Sequence, residues 1–307
     1  MGQNNPGLNI FAGIPPLAEL TSITTGAVFF VGSTAVPGGL VGVDQATLGR
    51  SPSQPFATMD YAVGQCTASR GDVIYVLPGH SESITSATSL VVDVAGVQVI
   101  GLGRGVNRPY LDFDNTAGSI ELNAACRLSN VILRASVSAV VVGVNVDADD
   151  IEIDNVETTW EATGDDFITM IDIDAFDRAT VRNCKLYTQP ATAGCAEAIR
   201  IDDSHNTRII DNEIIGQFSD APIIGEGALG NDCLIMGNLI YNSDTSAGNG
   251  IEITVATTGL LANNRVGTLY ATGVADLIDP GSMLCIENYT VNAIDESAVL
   301  LPATTST

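Results

Sequence analysis

The sequence predicts an all-β fold, a parallel β-solenoid preceded by an N-terminal arm and a short capping helix. Two observations carry this prediction. First, seven times between Leu128 and Asn288 an apolar residue is followed two places later by Asn, at Asn130, Asn155, Asn183, Asn212, Asn238, Asn264 and Asn288, with spacings of 25, 28, 29, 26, 26 and 24. A self-similar unit of that size marks a stacked repeat architecture. Second, each unit is built of short β-prone runs in which apolar and polar residues alternate, such as AVVVGVNV then IEIDNV, and AIRID then TRIIDNEII. Period-two alternation lets a strand bury one face and wet the other, and Gly, Asp, Asn, Ser and Thr separate the runs as turns. No helical period lies between them, so coils of strands and bends must make the return that a helix makes in other parallel sheets.

The recurrent Asn is expected at one bend of every coil. An amide turned inward there can bond its own backbone and the amides of the coils above and below, which satisfies groups that are costly to bury unpaired. With this pattern the chain resembles the right-handed parallel β-helix of the pectin-lyase-like superfamily, over roughly Phe56 to Asn288. The resemblance implies the fold and leaves the activity open, because many activities use this scaffold.

Composition fits that fold. Only 16% of the 307 residues are charged, 45% are hydrophobic, and Lys185 is the single lysine. A narrow coil filled by Val, Ile and Leu needs such a composition, and a disordered chain does not have it. The net charge of −24 argues against nucleic acid and anionic membranes as partners, since no basic patch is present in the sequence to release counterions. It also disfavours polyuronate substrates, which need a cationic groove. Cations and neutral glycans remain open. The six cysteines, Cys66, Cys126, Cys184, Cys195, Cys233 and Cys285, form no C-x-x-C pair and fall at recurrent places near the repeated Asn, so they read as buried free thiols.

Taken in order, residues 1–55 form an arm and lead-in segment, 56–290 the β-helix, and 291–307 a C-terminal tail. Residues 1–26 carry Leu8, Ile10, Phe11, Ile14, Leu17, Leu20 and Ile23 among three prolines. An apolar arm of this kind is a docking segment, against its own body or another subunit. The start has neither a basic region nor a long apolar core, so no signal peptide is expected, and no apolar run reaches membrane-spanning length. Met59, Ala62, Val63 and Cys66 fall at helical spacing, which predicts an amphipathic helix over Phe56–Ala68 that caps the open end of the solenoid. A cap is required because a terminal coil would expose apolar core and strand edges. Arg70-Gly71-Asp72 then turns into the strand Val73–Leu77, ended by Pro78-Gly79. This lead-in looks like that of many β-helix proteins, including phage-borne ones. The ladder and the earlier strands together predict nine or ten coils and a rod of about 45 Å. In the tail, Ala298–Leu301 is expected to cover the last coil.

The densest acidic region is Asp147–Asp177, with twelve Asp or Glu residues. Within it Gly164-Asp165-Asp166 resembles the adjacent aspartates of polygalacturonase-type glycoside hydrolases, and paired carboxylates are what acid–base glycosidic cleavage needs. Asp202 and Asp203, with His205 close by, are expected in the next coil but one. The rest of that family's pattern is missing: there is no Gly-His-Gly and no Arg-Ile-Lys, and His205 sits in Ser-His-Asn. Turn capping is the alternative role for these aspartates. Asp147, Asp149 and Asp150 could chelate Ca²⁺ through hard oxygen ligands. They also mark a bend whose counterparts carry Asp174 and Asp177, then Asp202 and Asp203, and recurrence at one bend favours a structural role. His80, near Glu82 at a strand end, reads as a satisfied turn histidine. Gly101-x-Gly103-x-Gly105 lacks the following helix of a phosphate loop.

Two function classes follow. One is a non-enzymatic virion protein, a capsid decoration protein or short spike, made in the host cytoplasm and anchored to a major capsid or other virion protein through residues 1–26. The resemblance implies a homotrimer for such rods. The other is a glycan-cleaving enzyme, free or as a tailspike that contacts cell-surface glycan, using Asp165 and Asp166. No cofactor is expected beyond the Ca²⁺ alternative.

Overall fold

The computed structural model describes residues 25–33, 41–190, 194–227, 230–245, 249–253, 257–269, 277–292 and 297–301. The apolar arm expected at residues 1–26 therefore lies almost wholly outside the described residues. The body is a right-handed parallel β-helix with three faces. Face A has ten strands, from Val28–Val31 to Leu284–Ile286, face B eight, from Leu90–Val92 to Ile278–Asp279, and face C ten, from Ser81–Ile84 to Ser297–Leu301. The chain passes from A to C to B and back to A, so each coil adds one parallel strand to each face. Eight coils among the described residues carry all three faces, fewer than the nine or ten expected, because the first and last turns contribute no strand to face B. Ten strands at ~4.8 Å separation make face A roughly 43 Å long.

Alternation decides which side chains fill the coil. On face A the inward column runs Leu128, Ile153, Val181, Ile209, Ile235, Leu261 and Cys285, each paired with the next coil and each at most 2% exposed. Stacking like on like keeps the cross-section constant, so every coil closes on the same core. Five of the six cysteines are buried, Cys66 is half-buried, and none is in a disulfide. Burial pushes the thiols of Cys126 and Cys184 up to about 12, so both stay protonated and behave as small apolar groups.

The bend between faces A and C corrects the reading of the seven asparagines. It takes two residues, one with a left-handed backbone and the next pointing inward. Asn130, Asn155 and Asn183 occupy the left-handed position, with φ of 57°, 53° and 54°, and the inward residues after them are Val131, Val156 and Cys184. In later coils the left-handed position passes to Asp211, Gly237, Asn263 and Glu287, and Asn212, Asn238, Asn264 and Asn288 turn inward. The buried ladder has four rungs, not seven. The Nδ2 of Asn212, Asn238 and Asn264 each donates to Oδ1 of the next Asn, at 3.0, 2.9 and 2.9 Å. The same oxygens accept the backbone N–H of the preceding rung, and Asn212 Oδ1 accepts from Cys184 N. The other three asparagines form a separate outer column, in which Asn155 Nδ2 donates to Asn130 Oδ1 at 2.8 Å and Asn183 Nδ2 to Asp154 Oδ1 at 2.9 Å. The slip of one residue is invisible in an apolar-x-Asn pattern, because asparagine suits both places: it tolerates φ > 0 and it satisfies buried backbone.

The capping helix is Met59–Val63, shorter than the Phe56–Ala68 expected. Phe56 is unavailable to it, since its N–H bonds Phe30 O and its carbonyl takes Gly32 N, which sets it beside the first face A strand as a parallel bridge opposite Val31. Thr58 is the N-cap, accepting from Tyr61 N, and Gly64 ends the helix. Past it, Asp72 captures Thr67 N at 2.7 Å. Met59, Ala62 and Val63 point into the core. Asp60 Oδ1 accepts from Val91 N on the first face B strand, and Glu82 of the first face C strand accepts from Met59 N. The helix thus fills the places that strands of a preceding coil would hold. At the other end Ser297–Leu301 pairs antiparallel with Asn288–Asn292, which ends the parallel stacking.

Candidate functional site

Asp165 and Asp166 lie in the turn entering the face B strand Phe167–Asp174, and their carboxylates diverge. Asp165 Oδ2 accepts from Ala162 N at 2.9 Å, within its own turn. Asp166 Oδ1 accepts from Ala139 N of the preceding coil at 3.0 Å. The backbone of Gly194 presses on the same carboxylate so closely that a Cβ there would fall 1.4 Å from Asp166 Oδ2. Gln189 locks the turn, bonding Gly164 N and the carbonyls of Ala162 and Asp165. Burial raises the Asp166 carboxyl above its usual range, and the neighbouring Asp165 charge adds to that.

Asp202 lies in the next coil, not the next but one, and at the opposite end of face B. It pairs with Asp174, eight residues along from Asp166, which puts the two aspartate pairs about 26 Å apart at strand rise. No single glycosidic bond can lie between carboxylates at that distance. His205 also serves the backbone: its Nδ1 accepts from Asn231 N at 3.1 Å, and its own N–H donates to Asp177 Oδ1. His80 is fully buried with Nε2 3.0 Å from Glu82 Oε2, but its Nδ1 is unpartnered, so it is only half satisfied.

Asp147, Asp149 and Asp150 do not converge as a Ca²⁺ site. Asp149 and Asp150 hold the Arg178 guanidinium between them, with Arg178 Nε 2.7 Å from Asp150 Oδ1 and Nη2 3.0 Å from Asp149 Oδ2. Asp149 also accepts from Asp177 N. Asp147 opens the same bend but turns to the outer side of face B, where it meets Asn145. Among the described residues no three His, Cys, Asp or Glu side chains come together as a metal site.

Stacking assembles a polar surface that no local motif announced. The outer column of face B runs Glu121, Asn145, Asp172, Arg200, Ile224, Glu252 and Asp279. Beside it runs a second column in which Asp174, Asp202 and Glu226 pair in register, with Asp147 at the corresponding place one coil before. Asn145 Nδ2 bridges Glu121 Oε2 at 3.1 Å and Asp147 Oδ2 at 2.9 Å. Burial, and next the bond it shares with Glu121, push Asp147 up to about 6. Burial and the Asp174 charge likewise raise Asp202. Arg200 pairs Asp172 through two bonds of 2.8 and 2.6 Å. A hollow of about 300 Å³ opens next to Glu121, lined by Gly118, Ser119, Val141, Val142 and Asn145. Residues 121, 145, 172 and 200 are 24 to 28 positions apart, so only an alignment of the coils in register could have grouped them.

The outer side of face A changes character along the rod. Its middle coils carry Arg127, Glu152, Asp154 and Arg182, joined by ion pairs across strands. From Arg208 onward the same columns become Leu234, Leu260 and Leu284, and Ile210, Met236, Ala262 and Ile286. Leu284 is 42% exposed.

No protein-family model matches the chain, and no curated protein matches it in sequence. Among solved structures it is similar to a rhamnogalacturonan lyase, with a TM-score of 0.53 at 12% identity, over 87% of this chain and 74% of that one. Similarity extends to the pectate lyase Pel9A, with a TM-score of 0.42 at 14% identity over 88% and 76%. It extends also to the ORF18 protein of Geobacillus virus E2, at 0.40 and 8% over 90% and 62%. At such identities the likeness is one of fold alone, and that fold is the right-handed parallel β-helix.

Proposed function

We propose that the chain is a non-enzymatic structural protein of a virion, a capsid decoration protein anchored to a capsid or other virion protein by the apolar arm of residues 1–26. The observation that carries the non-enzymatic reading is the engagement of the nominated aspartates: Asp165 and Asp166 cap separate backbone N–H groups, and Asp149 and Asp150 hold Arg178. The apolar outer columns of face A support self-association as a homotrimer, since an exposed apolar patch is what a subunit contact needs. Quantitative mass spectrometry of virus particles made in the host tests the reading. Hundreds of copies per particle are expected, and absence from particles refutes it. Deleting residues 1–26 should leave a folded rod that no longer attaches, and retained attachment would sink the anchoring role.

One observation favours glycan cleavage as a second reading. Glu121 lines a hollow on face B, and Asn145 Nδ2 links it to the raised Asp147 carboxyl behind, so a carboxyl pair stands at the hollow's edge as acid–base glycosidic cleavage needs. In that reading Glu121→Gln abolishes release of reducing ends from a susceptible polysaccharide, whereas Asp165→Asn with Asp166→Asn leaves it intact. Activity that survives Glu121→Gln removes this site from consideration.

A further inference from the structure

The outward side of face A is buried at the start of the rod. In the first three strands Phe29, Val31, Ile74, Val76 and Val99 point into the core, and Val28, Phe30, Val73, Tyr75 and Ile100 alternate with them on the other side. Leu77 and Leu102 continue that outward side past the strand ends. Farther along the rod the same outward columns carry Arg127, Glu152, Asp154 and Arg182, and near the far end Leu284 is 42% exposed. At the start, by contrast, Phe30, Val73, Tyr75 and Leu77 are at most 2% exposed and Leu102 is 8%. These five form an apolar cluster separate from the core, with the rings of Phe30 and Tyr75 5.9 Å apart. Its apolar neighbours among the described residues, Val28 and Ile100, stand in the same sheet. Side chains on the solvent side of a sheet reach such burial under a second layer.

We propose that this second layer is residues 14–23 of the same chain, seated across the outward cluster of face A. Residues 1–24 lie outside the described residues and run directly into face A. Thr25 Oγ1 donates to Arg70 O and Ala27 N donates to Asp72 Oδ1 at 2.6 Å, so the segment is tethered beside Val73, at the edge of the cluster. Ile14, Leu17, Leu20 and Ile23 recur every three residues, and Glu19 is the one charged side chain in residues 1–24. Every third residue falls toward one side of a segment wound at three to four residues per turn, which gives an apolar stripe to match an apolar face. Ten residues reach ~15 Å even as a helix, and Val73 to Leu77 spans about 13 Å, so the stripe is long enough to cross the cluster. Residues 34–40, which also lie outside the described residues and adjoin face A, offer Val36 and Leu40 as their large apolar side chains. The tether favours this chain's own segment over that of a second copy, through effective concentration. The inference concerns the free chain and does not rest on the function proposed above; it leaves Leu8, Ile10 and Phe11 to an external partner of the arm.

Two measurements on the full chain test the seat. Glu19 is the one site for a glutamate-specific protease before Glu82. A seated segment resists cutting there, and Tyr75→Ser, which takes the ring out of the middle of the cluster, should speed release of residues 1–19 about tenfold by mass spectrometry. Val106→Ser, a change at an exposed residue outside the cluster, should leave the rate as it is. The second measurement spares the buried cluster residues. Ile100→Cys is combined in turn with Leu17→Cys, Leu20→Cys and Ile23→Cys, and a short bis-maleimide is added. At least one pair should be bridged within a single chain, and the same arm variants combined with Thr180→Cys, farther along face A, should not be. The native thiols compete little, since five are buried and burial pushes Cys66 up to about 12. Cutting at Glu19 in the unsubstituted chain as fast as in Tyr75→Ser would overturn the seat, and so would bridging to Thr180→Cys as fast as to Ile100→Cys. Bridged dimers would assign the layer to a second copy, and bridging from Val36→Cys in place of all three arm variants would assign it to residues 34–40; either result overturns the proposal.

Discussion

Replacing Asn238 by Ala removes one rung from the middle of the buried ladder. Asn238 is 1% exposed. Its Nδ2 donates to Ile209 O at 3.0 Å and to Asn264 Oδ1 at 2.9 Å, and its Oδ1 accepts from Asn212 N and Asn212 Nδ2, both at 3.0 Å. In the variant the Asn212 backbone N–H has no acceptor in a site closed to water, which costs roughly 1–3 kcal/mol, and the other lost bonds cost about 1 kcal/mol each. Together the loss is about 4–6 kcal/mol, a large share of the ~5–15 kcal/mol that holds a domain folded. The control is Asn155→Gly in the outer column. Asn155 is exposed, its φ of 53° suits glycine, and Gly237 already occupies the same column, so the change should stay within about 0.5 kcal/mol. Denaturant unfolding followed by circular dichroism measures both. Because stacked coils can open separately, hydrogen exchange at the Asn212 amide is the sharper probe. That amide should lose its protection in Asn238→Ala and keep it in Asn155→Gly. A cost under about 1 kcal/mol with Asn212 still protected would refute the ladder as a stabilising element.

Other perturbations reach different parts of the molecule. Asp147 has a folded pKa of about 6, above its unfolded value, so its charged form opposes folding. Stability therefore falls as pH rises from about 4 to 6, and Asp147→Asn should stabilise the rod at pH 7 by about 1 kcal/mol, once solvent screening is allowed for, with little effect at pH 4; a destabilised variant at pH 7 contradicts this. Asp72 behaves oppositely: burial works against it, but Arg70 and the N–H groups of Thr67 and Ala27 hold its carboxyl below the usual range. Its contribution is present above the unfolded pKa and lost as pH falls below it, so Asp72→Asn should flatten the acid limb of a stability–pH curve. Thr58→Ala should cost about 1 kcal/mol by removing the helix cap and should raise exchange first at the Tyr61 amide, the reverse order of exchange counting against the cap. Under the self-association proposed for face A, Leu284→Asp should preserve the fold and lower the mass in light scattering relative to the unsubstituted chain, and an unchanged mass would exclude this part of face A from such a contact.

The solenoid was legible because its signal is repeated. Seven spaced asparagines and alternating strands overdetermine a coil of about 26 residues, and the alignment of Asp147 with Asp174 and Asp202 at one bend could be read before any coordinates. The two-residue geometry of the asparagine bend could not be read. A left-handed residue and an inward residue are adjacent in sequence, asparagine serves in either, and only the pairing of Ser129 with Asp154, Arg182, Ile210, Met236, Ala262 and Ile286 separates them. The length of the cap was missed for a related reason. Phe56 has apolar character compatible with a helix, and its engagement by Phe30 is a contact between segments 26 residues apart.

The sequence by itself determined the fold class, the approximate period, the apolar filling and the positions of the bends, since each is a matter of local alternation and turn chemistry repeated along the chain. Tertiary structure alone decided which polar side chains meet. In a parallel coil, neighbours on a face are one turn apart, 22 to 30 residues in sequence after the first turn, and a shift of one residue turns a side chain from the core to the surface. Glu121 with Asn145 and Asp172, and Lys185 with the Arg104–Arg108 loop, are grouped by that register, which no short stretch of sequence encodes.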